Sequence, residues 1–185
     1  MESAVPHPPA SRVVALADGI DRVVGFVCRA IVLVTVIVLL GVLGANVAVR
    51  YAAGHGGITW ISEVPEQLFP WMIAAGIVLA VQHGAHIAVD ILKESLRREG
   101  QRWLIVAINV LVALAYLLFL SVLLQVAEIT AIEKSPILQL PRSLGYYALS
   151  FGALLTALCS LTIALRVWVG GPEAAPQPNP EESVT

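Results

Sequence analysis

Charge is what this sequence has least of. Only 13% of its 185 residues are Asp, Glu, Lys or Arg, while 58% are hydrophobic. The shortage is concentrated: Ala30–Val49, Gln67–Val89, Trp103–Ala127 and Ser143–Leu165 contain none of the four charged residues. A soluble domain of this size needs far more polar surface, so the composition excludes one. Each run is about 20 residues or longer, and a helix of that length crosses roughly 30 Å of hydrocarbon. Helices that are apolar all round read as membrane spans. The runs lack strict alternation and are too long for spanning strands, which argues against a β-barrel. The expected fold is therefore all-α: an integral membrane protein of four transmembrane helices.

Cysteine is nearly missing as well. Cys28 and Cys159 are the two present. They offer neither a disulfide framework nor metal-knuckle spacing, and they read as small apolar packing residues. A net charge of −2 gives no reason to expect a nucleic-acid partner. Internal repeats and paired discontinuous helices, the marks of many autonomous secondary transporters, are not evident. The opening MESAVPHPPASR has an acid and three prolines, unlike a secretory signal, so the first span is expected to stay as an anchor.

The expected organisation is a disordered segment over 1–11, a four-helix membrane domain over 12–169 and a disordered acidic tail over 170–185. The spans fall at about 27–49, 64–89, 103–127 and 143–167. Eight of the eleven basic residues lie at the N-terminal side, in the second loop or after the last span: Arg12, Arg22, Arg29, Lys93, Arg97, Arg98, Arg102 and Arg166. Arg50, Lys134 and Arg142 lie on the other face. The positive-inside bias puts both termini in the cytoplasm, in an inner (cytoplasmic) membrane. Short interfacial amphipathic helices are expected too. In Ser11–Val24, Val13, Leu16, Ala17, Ile20 and Val23/Val24 recur at helical spacing, with Arg12, Asp18, Asp21 and Arg22 largely off that stripe. Ile91, Leu92, Ser95 and Leu96 suggest a second such segment.

Small residues recur at helical spacing within the spans. Gly41 with Ala45, Gly44 with Ala48, the series Gly76, Ala80 and Gly84, and Gly152 with Thr156 and Ser160 let another helix backbone approach closely. They are the expected subunit-packing positions, within the chain or against a partner. At the outer entry to span 2, Ser62 is a candidate cap, and Glu63 and Glu66 suit a first helical turn. Trp60 and Trp71 suit the aromatic belt. Trp60, Glu63 and Glu66 can either fix the span entry or dock a partner at the outer face. Pro70 is expected to kink span 2 or free a carbonyl.

One stretch invites a chemical reading. His83, His86 and Asp90 are spaced three and four apart, which places them on one helical face. A metal-dependent or redox membrane enzyme built on them is the alternative function. No second His/Cys cluster accompanies them, and spans 1, 3 and 4 hold no acid or histidine for a proton relay. No catalytic residue, metal ligand or cofactor is therefore assigned. His86 and Asp90 read as the boundary where span 2 meets the cytoplasmic surface. Abundant packing seams without a translocation site suit a subunit whose partner carries the solute.

Five features then line up in order: NVAVRY (Asn46–Tyr51), TWISE (Thr59–Glu63) with Trp71 eleven residues after Trp60, GAHIAVDIL (Gly84–Leu92), SPILQLP (Ser135–Pro141), and Tyr146 with Gly152. Together they resemble the small membrane subunit, DctQ-like, of tripartite ATP-independent periplasmic (TRAP) transporters. Ser62, Glu66 and Ser150 depart from the family's usual residues. The resemblance implies a non-enzymatic scaffold subunit in sodium-driven uptake of a carboxylate-type solute. Its implied partners are a large membrane subunit, a periplasmic solute-binding protein and membrane lipid.

Overall fold

A computed structural model describes residues 12–53, 57–84 and 97–176. Four helices dominate it: α1 (Arg12–Ala53), α2 (Val64–Gln82), α3 (Arg98–Thr130) and α4 (Ser143–Gly170). Two 3-10 turns flank them, Thr59–Glu63 before α2 and Pro172–Ala174 after α4. Among the described residues there is no strand, only an isolated bridge between Lys134 and Pro141. All four helices are long and apolar enough to cross a membrane.

α4 is the axis of the bundle. It packs on α3 and α2, and α1 packs on α2 and reaches α4. Its sequence is suited to that position, because Ala148, Gly152, Ala153, Thr156, Ala157 and Ser160 keep it thin where its neighbours converge. The core includes Cys28 of α1, Val78 of α2 and Cys159 and Val167 of α4, all without exposed surface. Large side chains such as Leu33, Leu40, Leu111 and Leu118 point outward and are 63–74% exposed. That arrangement suits lipid as the solvent, since apolar surface costs nothing there.

α1 is one uninterrupted helix of 42 residues, about 63 Å long at 1.5 Å per residue. The surface helix expected over Ser11–Val24 is thus not a separate element. Only part of the expected apolar stripe is buried. Ala17 and Val24 are buried, whereas Leu16 and Val23 are more than 60% exposed. Asp21, expected off the buried face, turns inward. Arg166 and Thr162 of α4 meet its carboxylate there and compensate for the loss of water.

α2 contains Pro70 within its length, and the proline ring lies over Gly145 of α4: a β-carbon at 145 would stand 3.2 Å from Pro70 Cγ. The helix stops at Gln82. His83 and Gly84 close it, their N–H groups donating to the Leu79 and Val81 carbonyls at 3.1 Å each. Gly84 has φ +69°, a left-handed conformation that favours glycine at a helix C-terminus. The span expected over 64–89 therefore outruns α2 into residues that are not described, and the second surface segment falls there as well. After α4, Gly171 turns the chain back. Residues 172–176, expected within a disordered tail, fold onto the bundle end: Glu173 pairs with Arg98 at 2.6 Å and Ala175 packs on the core.

Candidate functional site

Three regions carry the residues singled out from the sequence. The first is the end of the bundle that the distribution of basic residues leads one to expect on the outside. Glu63 closes the turn before α2 and is only 7% exposed. Its two carboxylate oxygens accept the backbone N–H groups of Ile137 (2.9 Å) and Leu138 (2.8 Å) in the loop between α3 and α4. Charge-assisted bonds of this kind are stronger than neutral ones. That loop is further closed by Ser135, whose N–H donates to Leu140 O at 2.9 Å and whose hydroxyl accepts the Leu140 N–H at 3.2 Å. Asn46 of α1 accepts the Ile58 N–H at 2.8 Å and so ties α1 to the same turn. Arg142 stands 3.6 Å from both Glu66 and Glu133, three groups about half exposed, so the pairs contribute little to stability. Trp60 is 43% exposed. Of the three outer-face residues, Glu63 is thus occupied within the chain, while Trp60 and Glu66 remain accessible.

The second region is the set of small-residue seams, and the structure divides them. Gly152 is in use: a β-carbon there would stand 2.6 Å from Ala74 Cβ of α2. Gly25, not singled out from the sequence, is used likewise where α1 meets Gln82 of α2. Gly41 and Gly76 have nothing within 4 Å of such a β-carbon. Ala45 and Ala80 are exposed beside them. Gly84 belongs to neither group. A β-carbon there would meet the Pro176 carbonyl oxygen at 2.7 Å, and its positive φ makes it a helix terminator rather than a member of the α2 stripe.

The third region is the opposite end, expected on the inside, where a polar cluster joins three helices. Arg166 of α4 pairs with Asp18 at 3.0 Å and more tightly with Asp21, and the Thr162 hydroxyl donates to Asp21 at 2.8 Å. Gln82 Nε2, at the end of α2, donates to the Asp21 backbone carbonyl at 2.9 Å. Asp21 and Arg166 expose only 15% and 19% of their side chains. Arg102 of α3 donates to the Trp168 carbonyl, and Trp103 meets Trp168 edge-on with ring centroids 5.4 Å apart. Sequence reading missed this cluster. A signal was present: Ala17, Asp21, Val24 and Cys28 repeat at four, three and four, which puts Asp21 on the inward stripe.

The histidine–aspartate stretch is only partly described. His83 Nδ1 lies 2.7 Å from Leu79 O, one turn back on its own helix. His86 and Asp90 lie outside the described residues. Among the described residues, no three His, Cys, Asp or Glu side chains are placed to hold a metal ion.

Comparison with known proteins connects this architecture to a transport family. Residues 39–170 match the family described as "Tripartite ATP-independent periplasmic transporters, DctQ component". The uncharacterized protein y4mM of Sinorhizobium fredii is 40% identical over 165 residues, which is 89% of this chain and 30% of that protein. A putative TRAP transporter small permease protein of Haemophilus influenzae is 26% identical over 149 residues, 80% of this chain and 89% of its own length. The isethionate TRAP transporter permease protein DctMQ of Oleidesulfovibrio alaskensis is 27% identical over 137 residues, 72% of this chain and 22% of that protein. The chain thus spans less than a third of the y4mM and DctMQ proteins but most of the small permease. No solved structure matches it. A matched segment that covers all of α2, α3 and α4 and the outer part of α1 leaves one assignment: the chain belongs to the DctQ family, the small permease subunits of TRAP transporters, and is a multi-pass membrane component of a transporter rather than an enzyme.

Proposed function

We propose that the chain is the static scaffold of a three-part uptake system in the inner membrane. It packs along a large membrane subunit that carries the solute, and its outer end helps receive a periplasmic solute-binding protein. The observation that carries this reading is the division of the small-residue seams. Gly25, Gly145 and Gly152 serve contacts inside the bundle, while Gly41, Ala45, Gly76 and Ala80 face outward with room for another helix backbone. Lipid gains little from small residues, whereas a second helix gains close approach.

The solute is a small organic acid, of the carboxylate type. The DctMQ relative, whose name specifies isethionate, supports an organic anion as the solute, and the carboxylate type is what the family resemblance implies. A transporter described as ATP-independent draws on an ion gradient, which we assign to sodium. At the outer face, Trp60 and Glu66 are the accessible docking groups, and Glu63 holds the adjoining loop in shape. Both termini are cytoplasmic, in accord with the bias of basic residues.

Reconstitution in liposomes tests the scaffold role. Uptake under an imposed sodium gradient is expected only when this chain, the large subunit and the binding protein are present together. Solute movement by this chain alone would show that it contains a pathway of its own and would end the scaffold reading.

A further inference from the structure

Three basic side chains at the inner end have partners in the chain. Arg166 holds Asp18 and Asp21, Arg102 binds the Trp168 carbonyl, and Arg98 pairs with Glu173. Arg22 and Arg29 of α1 differ. Both are exposed, and among the described residues neither makes an ion pair or side-chain hydrogen bond. Seven residues apart, they share one face of α1 and are separated by two turns, about 10 Å along the axis.

That face points away from the bundle. Phe26 lies between the two arginines and is 74% exposed; Leu33 and Leu40 continue the face beyond Arg29 at 63% and 74%. The depth of Arg29 follows from the helix itself. Arg29 and Arg50 are separated by 21 residues of uninterrupted helix, about 31 Å, which matches the hydrocarbon thickness of a bilayer. With Arg50 at one edge of the hydrocarbon, Arg29 stands at the other, and Arg22 lies about 10 Å further out, among the headgroups. A guanidinium at that edge snorkels into the headgroup layer, where an anion is its strongest partner. The anion that every bilayer supplies at that level is the lipid phosphate.

We propose that Arg22 and Arg29 form a binding site for an anionic phospholipid, with its phosphate held by the guanidinium groups and an acyl chain laid along Leu33 and Leu40. The Arg29 side chain is long enough to snorkel outward toward the headgroup level of Arg22, where a lipid with two phosphates can engage both guanidinium groups. The site depends on α1 crossing the bilayer and not on the identity of the transported solute.

The experiment uses the purified full chain, stripped of lipid in neutral detergent and titrated with cardiolipin, phosphatidylglycerol or phosphatidylcholine, with retention read by native mass spectrometry. Cardiolipin is expected to bind most tightly and phosphatidylcholine least. The double variant R22Q/R29Q should bind cardiolipin about thirtyfold more weakly, taking the typical contribution of one basic residue near an anionic surface twice. R22K/R29K keeps the charge and should retain most of the affinity, so it carries the test if the glutamine variant does not fold. Undiminished retention in R22Q/R29Q, or lysine variants as weak as glutamine ones, would overturn the proposal. Full displacement of lipid by millimolar inorganic phosphate would identify a free-phosphate site instead, and overturn the lipid assignment. If R22Q/R29Q binds lipid normally but no longer co-purifies with the large subunit, a carboxylate of that partner is the occupant and the proposal fails.

Discussion

Glu63 shows how a residue with a plain local explanation can have its main partner far away in the chain. An acid at the mouth of α2 suits the helix dipole, and nothing nearby in sequence hints at more. The carboxylate instead holds the Ile137 and Leu138 amides, 74 and 75 residues on. Glutamine at this position keeps one acceptor oxygen and turns an NH2 group, itself a donor, toward the second amide. Glu63→Gln is therefore expected to speed amide exchange at Ile137 and Leu138 by about tenfold or more, with the exchange of α3 and α4 unchanged. Hydrogen exchange resolved by residue measures this. Equal protection in wild type and variant would mean that the loop is held by Ser135 and the Arg142 pairs and not by Glu63.

Four helices were readable in the sequence because the bilayer demands long charge-free runs, and no other common element supplies them. Contacts between helices were only partly readable. Gly76, Ala80 and Gly84 share a spacing of four, but spacing does not reveal a backbone dihedral, and Gly84 proves to be the residue that ends α2. Asp21 was assigned to the wet side because charge normally is; Arg166 and Thr162, about 140 residues away, reverse that assignment. Glycine seams gain meaning only once the neighbouring helix is in place. Gly152→Leu must force α4 away from Ala74 and should cost about 1–3 kcal/mol, seen as a lower unfolding temperature of the isolated chain. Gly76→Leu has open space around it and should leave that temperature unchanged, yet lower recovery of the large subunit when the two are co-purified. The opposite pattern, a stability loss at Gly76 and none at Gly152, would mean that the seams are divided the other way.

Taken whole, the molecule has two chemically distinct ends. The start of α1, the end of α2, the start of α3 and the end of α4 meet at one end through Asp21, Gln82, Arg98, Arg166 and Glu173. The other end holds the Glu63 loop, Glu66 and Arg142. An even number of crossings brings the two described ends of the chain to the same side, and the excess of arginine there is the ground on which we propose that this side is cytoplasmic. Labelling of introduced cysteines tests the orientation, and the native thiols do not interfere because Cys28 and Cys159 have no exposed surface. Ile132→Cys, at a site 88% exposed in the outer loop, should react with a membrane-impermeant maleimide in intact spheroplasts. Glu99→Cys, exposed at the start of α3, should react only after the membrane is permeabilised. If Glu99→Cys labels in intact spheroplasts and Ile132→Cys does not, the bundle is inserted the other way up. The Glu63 loop would then face the cytoplasm, out of reach of any periplasmic protein.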